Sequence, residues 1–119
     1  MPLRAFGPLI DALGVLSPVS RYIVEGTSME PAYGPGDRLL VNRLALRVRA
    51  PRAGDVVVLR DPEDGRRFLL KRIAHAPDGA APVPGQFHVL GDNAEESRDS
   101  RDFGPVARRH IVGTAWVKY

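Results

Sequence analysis

Two side chains in this sequence have the type and setting for covalent chemistry on a carbonyl. One is Ser28, in Gly26-Thr27-Ser28-Met29-Glu30-Pro31, and the other is Lys71, in Phe68-Leu69-Leu70-Lys71-Arg72-Ile73. A serine hydroxyl attacks a carbonyl only with a base beside it, and a lysine amine is such a base once burial has suppressed its charge. Arginine keeps its proton in a protein and cannot take that role. Of the 17 Lys and Arg residues, only Lys71 and Lys118 are lysines, which makes a lysine at position 71 conspicuous. A third segment carries groups that would orient the pair. It runs Gly91-Asp92-Asn93, then Ser97-Arg98-Asp99-Ser100-Arg101-Asp102-Phe103-Gly104.

Each residue also has a plainer reading. Side chains alternate along a strand, so Leu69, Lys71 and Ile73 would share one face and Phe68, Leu70 and Arg72 the other. A lysine between two aliphatics is more often one whose stem lies on apolar surface while its head reaches water. If it is buried instead, its pKa falls by several units and it accepts a proton near neutral pH. Ser28 follows Gly26, which frees the backbone, and precedes Pro31, which fixes it. That places the serine on a rigid turn where the N–H groups near it can meet an oxyanion. Taken alone, a Gly-x-Ser step is an ordinary turn. Ser97 has the reach to hydrogen-bond the Lys71 amine, Asp99 and Arg101 to pair, and Asp92 and Asn93 to make a tight turn after strand 87–90. The plain alternative there is a solvated loop with weak surface ion pairs.

Composition sets the frame. The chain has 119 residues, a net charge of +3 and a hydrophobic fraction of 44%. That suits one small domain with a real core. Eleven Pro and twelve Gly favour short strands and many turns. With no Cys and three scattered His, disulfides and a zinc site are not expected, nor is any other cofactor. The arginines are dispersed among acids rather than clustered, so a nucleic-acid partner is not expected either.

Along the chain, Phe6, Leu9, Ile10, Leu13 and Leu16 fall at helical spacing. Residues 1–21 therefore read as an N-terminal arm or short amphipathic helix packed on the core, or touching a membrane surface or partner. Pro8, Asp11 and Pro18 leave too short an apolar run for a spanning helix. Residues 22–119 read as the main domain. Strands are expected at 22–24, 38–41, 56–59, 67–74, 87–90 and 111–119, with Trp116 half buried. Asp61 to Gly65 reads as a hairpin connection and 76–86 as a loop. The bridge from Arg43 to Arg49 is amphipathic and unassigned.

Taken in order, Gly26 to Pro31, Gly36-Asp37 with Leu39-Leu40-Val41, Lys71-Arg72-Ile73 and Gly91 to Gly104 resemble the successive boxes of the type I signal peptidase family. Any one box is weak, but the ordered set is specific and covers residues 22–119. The resemblance implies a mostly β fold of coiled antiparallel sheets forming a partly open barrel. It implies Ser28 as nucleophile and Lys71 as general base, with Ser97 orienting the lysine. Gly26, Thr27 and Ser28 would surround the oxyanion, and Met29, Pro31, Asp92, Asn93, Asp99 and Arg101 would support the site. The implied reaction is removal of an N-terminal leader from a precursor protein by a serine endopeptidase, through an acyl-enzyme. Small soluble members that mature nickel-type superoxide dismutase resemble the chain most in size and in the final box near Phe103-Gly104-Pro105-Val106.

The departures from the family pattern concern setting rather than chemistry. The usual transmembrane helix is missing before the serine box, so a cytoplasmic or membrane-peripheral location is expected. Position 26 is Gly, without a hydroxyl, and position 32 is Ala where Thr is common. Two other classes compete: a self-cleaving regulator resembling the LexA family, which needs a DNA-binding domain larger than residues 1–21, and a non-catalytic module binding peptides or a membrane surface.

Overall fold

A computed structural model describes residues 2–10 and 16–119. Eight strands follow in chain order: β1 (Pro2–Ile10), β2 (Leu16–Val24), β3 (Arg38–Asn42), β4 (Val56–Asp61), β5 (Asp64–Ala74), β6 (Gln86–Leu90), β7 (Val106–Ala107) and β8 (Ile111–Lys118). Two one-turn helices interrupt them, α1 (Ala45–Val48) and α2 (Ser100–Phe103). The sheet order is β1-β2-β3-β8-β4-β5-β6-β7, and β1 also pairs with β5. That extra pairing closes six antiparallel strands into a barrel and leaves β6 and β7 as an extension beyond β5. Closure removes the free strand edges a small sheet would otherwise expose. The expectation of a mostly β, barrel-like fold is met.

Period-two burial divides the apolar residues between two cores. Leu3, Tyr22, Val24, Leu39, Val41, Val56, Val58 and Leu70 cluster with Met29 in one. Val57, Leu59, Leu69, Ile73, Val89, Val106 and Ile111 cluster with Leu46 in the other. β4 contributes to both: Val56, Val57, Val58 and Leu59 are all buried, so its continuous aliphatic run is a strand covered on both faces. β5 does the same from Leu69 onward, and this double cover is what takes Lys71 out of water.

The structure differs from the sequence reading in three places and assigns a segment that the sequence leaves open. Where helical spacing predicts a helix or arm, the chain forms β1 and β2, paired antiparallel with Leu3 opposite Val24 and Ala5 opposite Tyr22. β1 reaches β5 as well, with Leu3 opposite Phe68. Cross-strand hydrogen bonds outweigh the weak helical pattern there, since an isolated helix that short is marginal. Leu13, part of that pattern, lies outside the described residues. Trp116 is 63% exposed rather than half buried. The register of β8 against β3 slips between Leu40 and Val41, so Trp116 has no partner in the alternation. The bridge at 43–49 contains α1, capped by Asn42 Oδ1, which accepts from the Leu44 and Ala45 N–H groups. The β4–β5 hairpin is tighter than the Asp61–Gly65 connection expected, with Asp61 itself facing Asp64.

Candidate active site

Among the described residues, Lys71 is the largest fully buried side chain. It stands on β5 opposite Val57 of β4, on the face it shares with Leu69 and Ile73. Arg72 points to the opposite face, where its guanidinium takes Asp92 bidentately at 2.9 and 2.8 Å and donates to the Gly54 carbonyl at 3.0 Å. Burial lowers the Lys71 pKa from 10.5 to about 8. The carboxylate of Asp99 opposes that shift, and the charges of Arg98 and Arg101 assist it.

The amine is held by a chain of hydrogen bonds. Lys71 Nζ lies 3.0 Å from Ser97 Oγ, which lies 2.8 Å from Asp99 Oδ2. An ionised carboxylate only accepts, so the Ser97 proton goes to Asp99 and Ser97 accepts from Lys71. Asp99 has no exposed side-chain surface. Burial is the largest single influence and would raise its pKa, but the hydrogen bonds from the Arg101 guanidinium, the Gly91 N–H, the Ser97 hydroxyl and the Arg101 N–H together outweigh it and hold the carboxyl well below the usual range. Arg101 reaches it through Nε at 2.9 Å and Nη2 at 2.5 Å. Asp99 also begins α2 in a capping box: it accepts from the Arg101 N–H, while Asp102 accepts from the Asp99 N–H at 3.0 Å.

Ser28 lies in the loop between β2 and β3 and is 4% exposed. Gly26 enters the loop at φ 152°, a backbone state other residues rarely adopt. Met29 pins the loop into the first core, and its sulfur lies 3.4 Å from the Asp92 N–H. Tyr33 N–H donates to the Met29 carbonyl at 2.9 Å, and the Glu30–Pro31 peptide between them is cis. Asn93 fastens the loop from the other side. Its N–H donates to the Ser28 carbonyl at 2.8 Å and its side-chain amide to the Thr27 carbonyl at 3.1 Å. The Ser28 N–H and hydroxyl make no hydrogen bond among the described residues.

Gly91 is where the two halves meet. A Cβ there would sit 2.1 Å from Ser97 Oγ and 2.7 Å from the Ser28 carbonyl oxygen. The serine loop and the lysine's hydrogen-bond chain thus press on the same face of one glycine. No hydrogen bond joins Ser28 to Lys71, whose amine donates to Ser97 instead.

Two features lie beyond the residues singled out in sequence. The close approach at Gly91 was foreshadowed only by a glycine at a strand end. The Arg98 contacts with Asp61 and Glu63 join segments far apart in the chain and had no local signal. Among the described residues, no group of three or more His, Asp or Glu is placed to hold a metal ion, and no helix is long and apolar enough to cross a membrane.

The family model described as signal peptidase, peptidase S26, matches residues 6–80 and 78–119. The mitochondrial ATP-independent inner membrane protease subunit 1b of Arabidopsis thaliana is 36% identical over 105 residues, covering 74% of this chain and 62% of that protein. Subunit 1a from the same plant is 35% identical over 128 residues, covering 89% of this chain and 76% of the relative. Signal peptidase I V of Bacillus subtilis is 28% identical over 137 residues, covering 77% and 80%. The chain therefore spans somewhat under two thirds of the first of these relatives and about four fifths of the last. With the match running through both the serine loop and the lysine strand, the chain belongs to the signal peptidase family, peptidase S26, a family of serine peptidases.

Proposed function

We propose that this chain is an endopeptidase that removes an N-terminal leader from a precursor protein, with Ser28 as nucleophile and Lys71 as general base. The observation that supports it most is Lys71 itself: a fully buried amine, its pKa lowered to about 8, hydrogen-bonded so that one N–H is occupied by Ser97. A neutral amine so held keeps its lone pair for another proton.

In this reading Ser28 Oγ attacks the scissile carbonyl carbon as its proton passes to Lys71. The oxyanion formed is met by backbone N–H groups at Ser28 and its neighbours Thr27 and Gly26. Collapse breaks the C–N bond, the Lys71 ammonium protonates the departing amine, and the leader remains as an ester on Ser28. Water, deprotonated by Lys71, then attacks the ester; the leader leaves as an acid and Ser28 recovers its proton. Ser97 orients the amine, and Asp99, buttressed by Arg101, orients Ser97. Asp92, Asn93, Met29 and Pro31 fix the serine loop. The Ser28 and Lys71 machinery lies within residues 22–119, with β1 and the start of β2 completing the barrel around it and offering the surface for a membrane-peripheral setting. The substrate we favour is the leader of a nickel-type superoxide dismutase precursor, on the resemblance in size and final sequence box.

The test is mass spectrometry of a leader-peptide library, dismutase leaders included, incubated with wild type and Ser28→Ala. Cleavage by wild type alone is expected. Identical patterns from both proteins, or no cleavage with or without lipid vesicles, would reject the peptidase and favour a peptide-binding module. The pH profile supplies a second check. Lys71 works only when neutral, so kcat/KM should climb about tenfold per pH unit below pH 8 and level off above it. A profile flat through that range would remove Lys71 as the base.

A further inference from the structure

Ser97 and Asp99 are both extended, at φ −126°, ψ 127° and φ −149°, ψ −157°. Along extended backbone, neighbouring side chains project to opposite sides. Ser97 and Asp99 face Lys71, so Arg98 between them faces away. It reaches the tip of the β4–β5 hairpin, where Nη2 pairs with Asp61 and Nη1 with Glu63 at 2.5 Å. Asp61 is 1% exposed, and its other oxygen accepts from the Glu63 N–H at 2.9 Å. The Arg98 guanidinium also lies 5.3 Å from the ring centre of Phe103, which packs on the second core.

From this geometry we infer that Arg98 is a positioning residue: anchored by Asp61 and Glu63, it holds the Ser97–Asp99 segment in register so that Ser97 meets the Lys71 amine. The inference rests on the catalytic reading above for its effect on turnover, but not for its effect on Lys71. The segment 97–99 has no strand partner of its own. What fixes it is one set of contacts on each side, Ser97 and Asp99 toward the lysine and Arg98 toward the hairpin. The anchor is strong because Asp61 is buried: removing its cation would leave a buried carboxylate unpaired. The charged groups that act on Lys71 are Asp99, Arg98, Arg101 and Asp102, in the segment 97–99 or in the helix α2 that follows it directly. Loosening that segment therefore changes both the orientation of the amine and its access to water.

Asp61→Asn tests the anchor while leaving the Arg98 charge in place. Two readouts are needed. The first is the titration of Lys71 followed by NMR in protein carrying ¹³Cε-lysine. With only two lysines in the chain, the Lys71 resonance is assigned by its loss in Lys71→Met. The second is kcat and KM on a cleaved leader peptide. With the anchor released, water reaches the amine and the Lys71 midpoint rises, while kcat falls roughly 10- to 100-fold with KM little changed. Electrostatics alone would move the midpoint the other way, because the substitution removes a negative charge. Glu63→Gln, at an exposed carboxylate that does not threaten folding, should move both readouts in the same direction by less. Arg98→Lys should recover part of what Arg98→Met loses, since it restores the charge but not the fork that takes both acids.

A Lys71 midpoint unchanged or lowered in Asp61→Asn and Glu63→Gln, with kcat within about twofold of wild type, would overturn the inference. Absence of cleavage by wild type defeats the peptidase reading instead, and the NMR titration still decides the clamp. Should Asp61→Asn not fold, Glu63→Gln and the Arg98→Lys and Arg98→Met pair carry the same decision.

Discussion

Lys71→Met should destroy turnover and at the same time make the protein more stable at neutral pH. The loss of activity follows from removing the base: enzymes deprived of a nucleophile's base lose roughly 10⁴-fold or more in kcat. Lys71→Arg should be as inactive, because the guanidinium stays protonated throughout the accessible range. The gain in stability follows from linkage. The Lys71 pKa is lowered from 10.5 to about 8, so the unfolded chain binds its proton more tightly than the native one. Below about pH 8 the native state carries the full cost of a charged amine in an apolar layer, a difference of about 3 kcal/mol. Between pH 8 and 10.5 the native amine is already neutral, and the cost is relieved as the unfolded lysine deprotonates too.

Methionine fills similar volume without a charge, so Lys71→Met should exceed wild type by about 2 kcal/mol at pH 7. Its advantage should shrink as pH rises toward 10. Urea unfolding of both proteins at several pH values measures this directly. A Lys71→Met protein less stable than wild type at pH 7 would mean that the buried amine is better solvated by Ser97 and Asp99 than its surroundings imply. Sustained cleavage by Lys71→Arg would place the base elsewhere.

Gly91→Ala should be a severely damaging single-methyl change. The added Cβ would meet Ser97 Oγ at 2.1 Å, Ser97 Cβ at 2.5 Å and the Ser28 carbonyl oxygen at 2.7 Å. Ser97 is not free to swing aside, because its hydroxyl bridges Lys71 and Asp99. The Ser28 carbonyl is backbone and is bonded to the Asn93 N–H. Relief therefore requires moving either the serine loop or the segment that holds the lysine. Overpacking of this kind costs typically 1–3 kcal/mol in stability, and a displacement of about 1 Å in a catalytic group costs roughly 10²-fold in rate. We expect kcat to fall by about that factor or more, with a loss of about 2 kcal/mol measured by denaturant unfolding. Gly79→Ala is the natural comparison: nothing lies within 4 Å of its Cβ position, so its cost comes only from φ 77° and turnover should survive. Equal turnover in Gly91→Ala and wild type would show that the two halves of the site are not in contact through this glycine.

Much of the architecture was legible in the sequence because strands announce themselves locally. Val56 to Leu59 is a continuous aliphatic run with three β-branched valines, and the Gly-Asp steps at 36–37 and 54–55 end in turns that start strands, with Gly36 and Gly54 both at positive φ. The alternation that puts Leu69, Lys71 and Ile73 on one face needs nothing beyond the pleat. The amino-terminal strands were not legible. Their helical spacing is a local signal, whereas their strand pairing with β3 and β5 depends on residues far along the chain.

The sequence by itself determined the chemical inventory: one serine on a constrained loop, one lysine on an apolar strand face, and a polar segment rich in acids and arginines. Residue type and spacing suffice for that, because nucleophilicity, basicity and alternation are properties of the local chain. Tertiary structure alone decided how buried Lys71 is, and hence that its pKa falls to about 8, because desolvation depends on both faces of β5 being covered. It also decided that Gly91 joins the serine loop to the lysine and that Arg98 is gripped by the far hairpin, since contact across tens of residues is set by how loops from distant strands pack together and not by anything written near either partner.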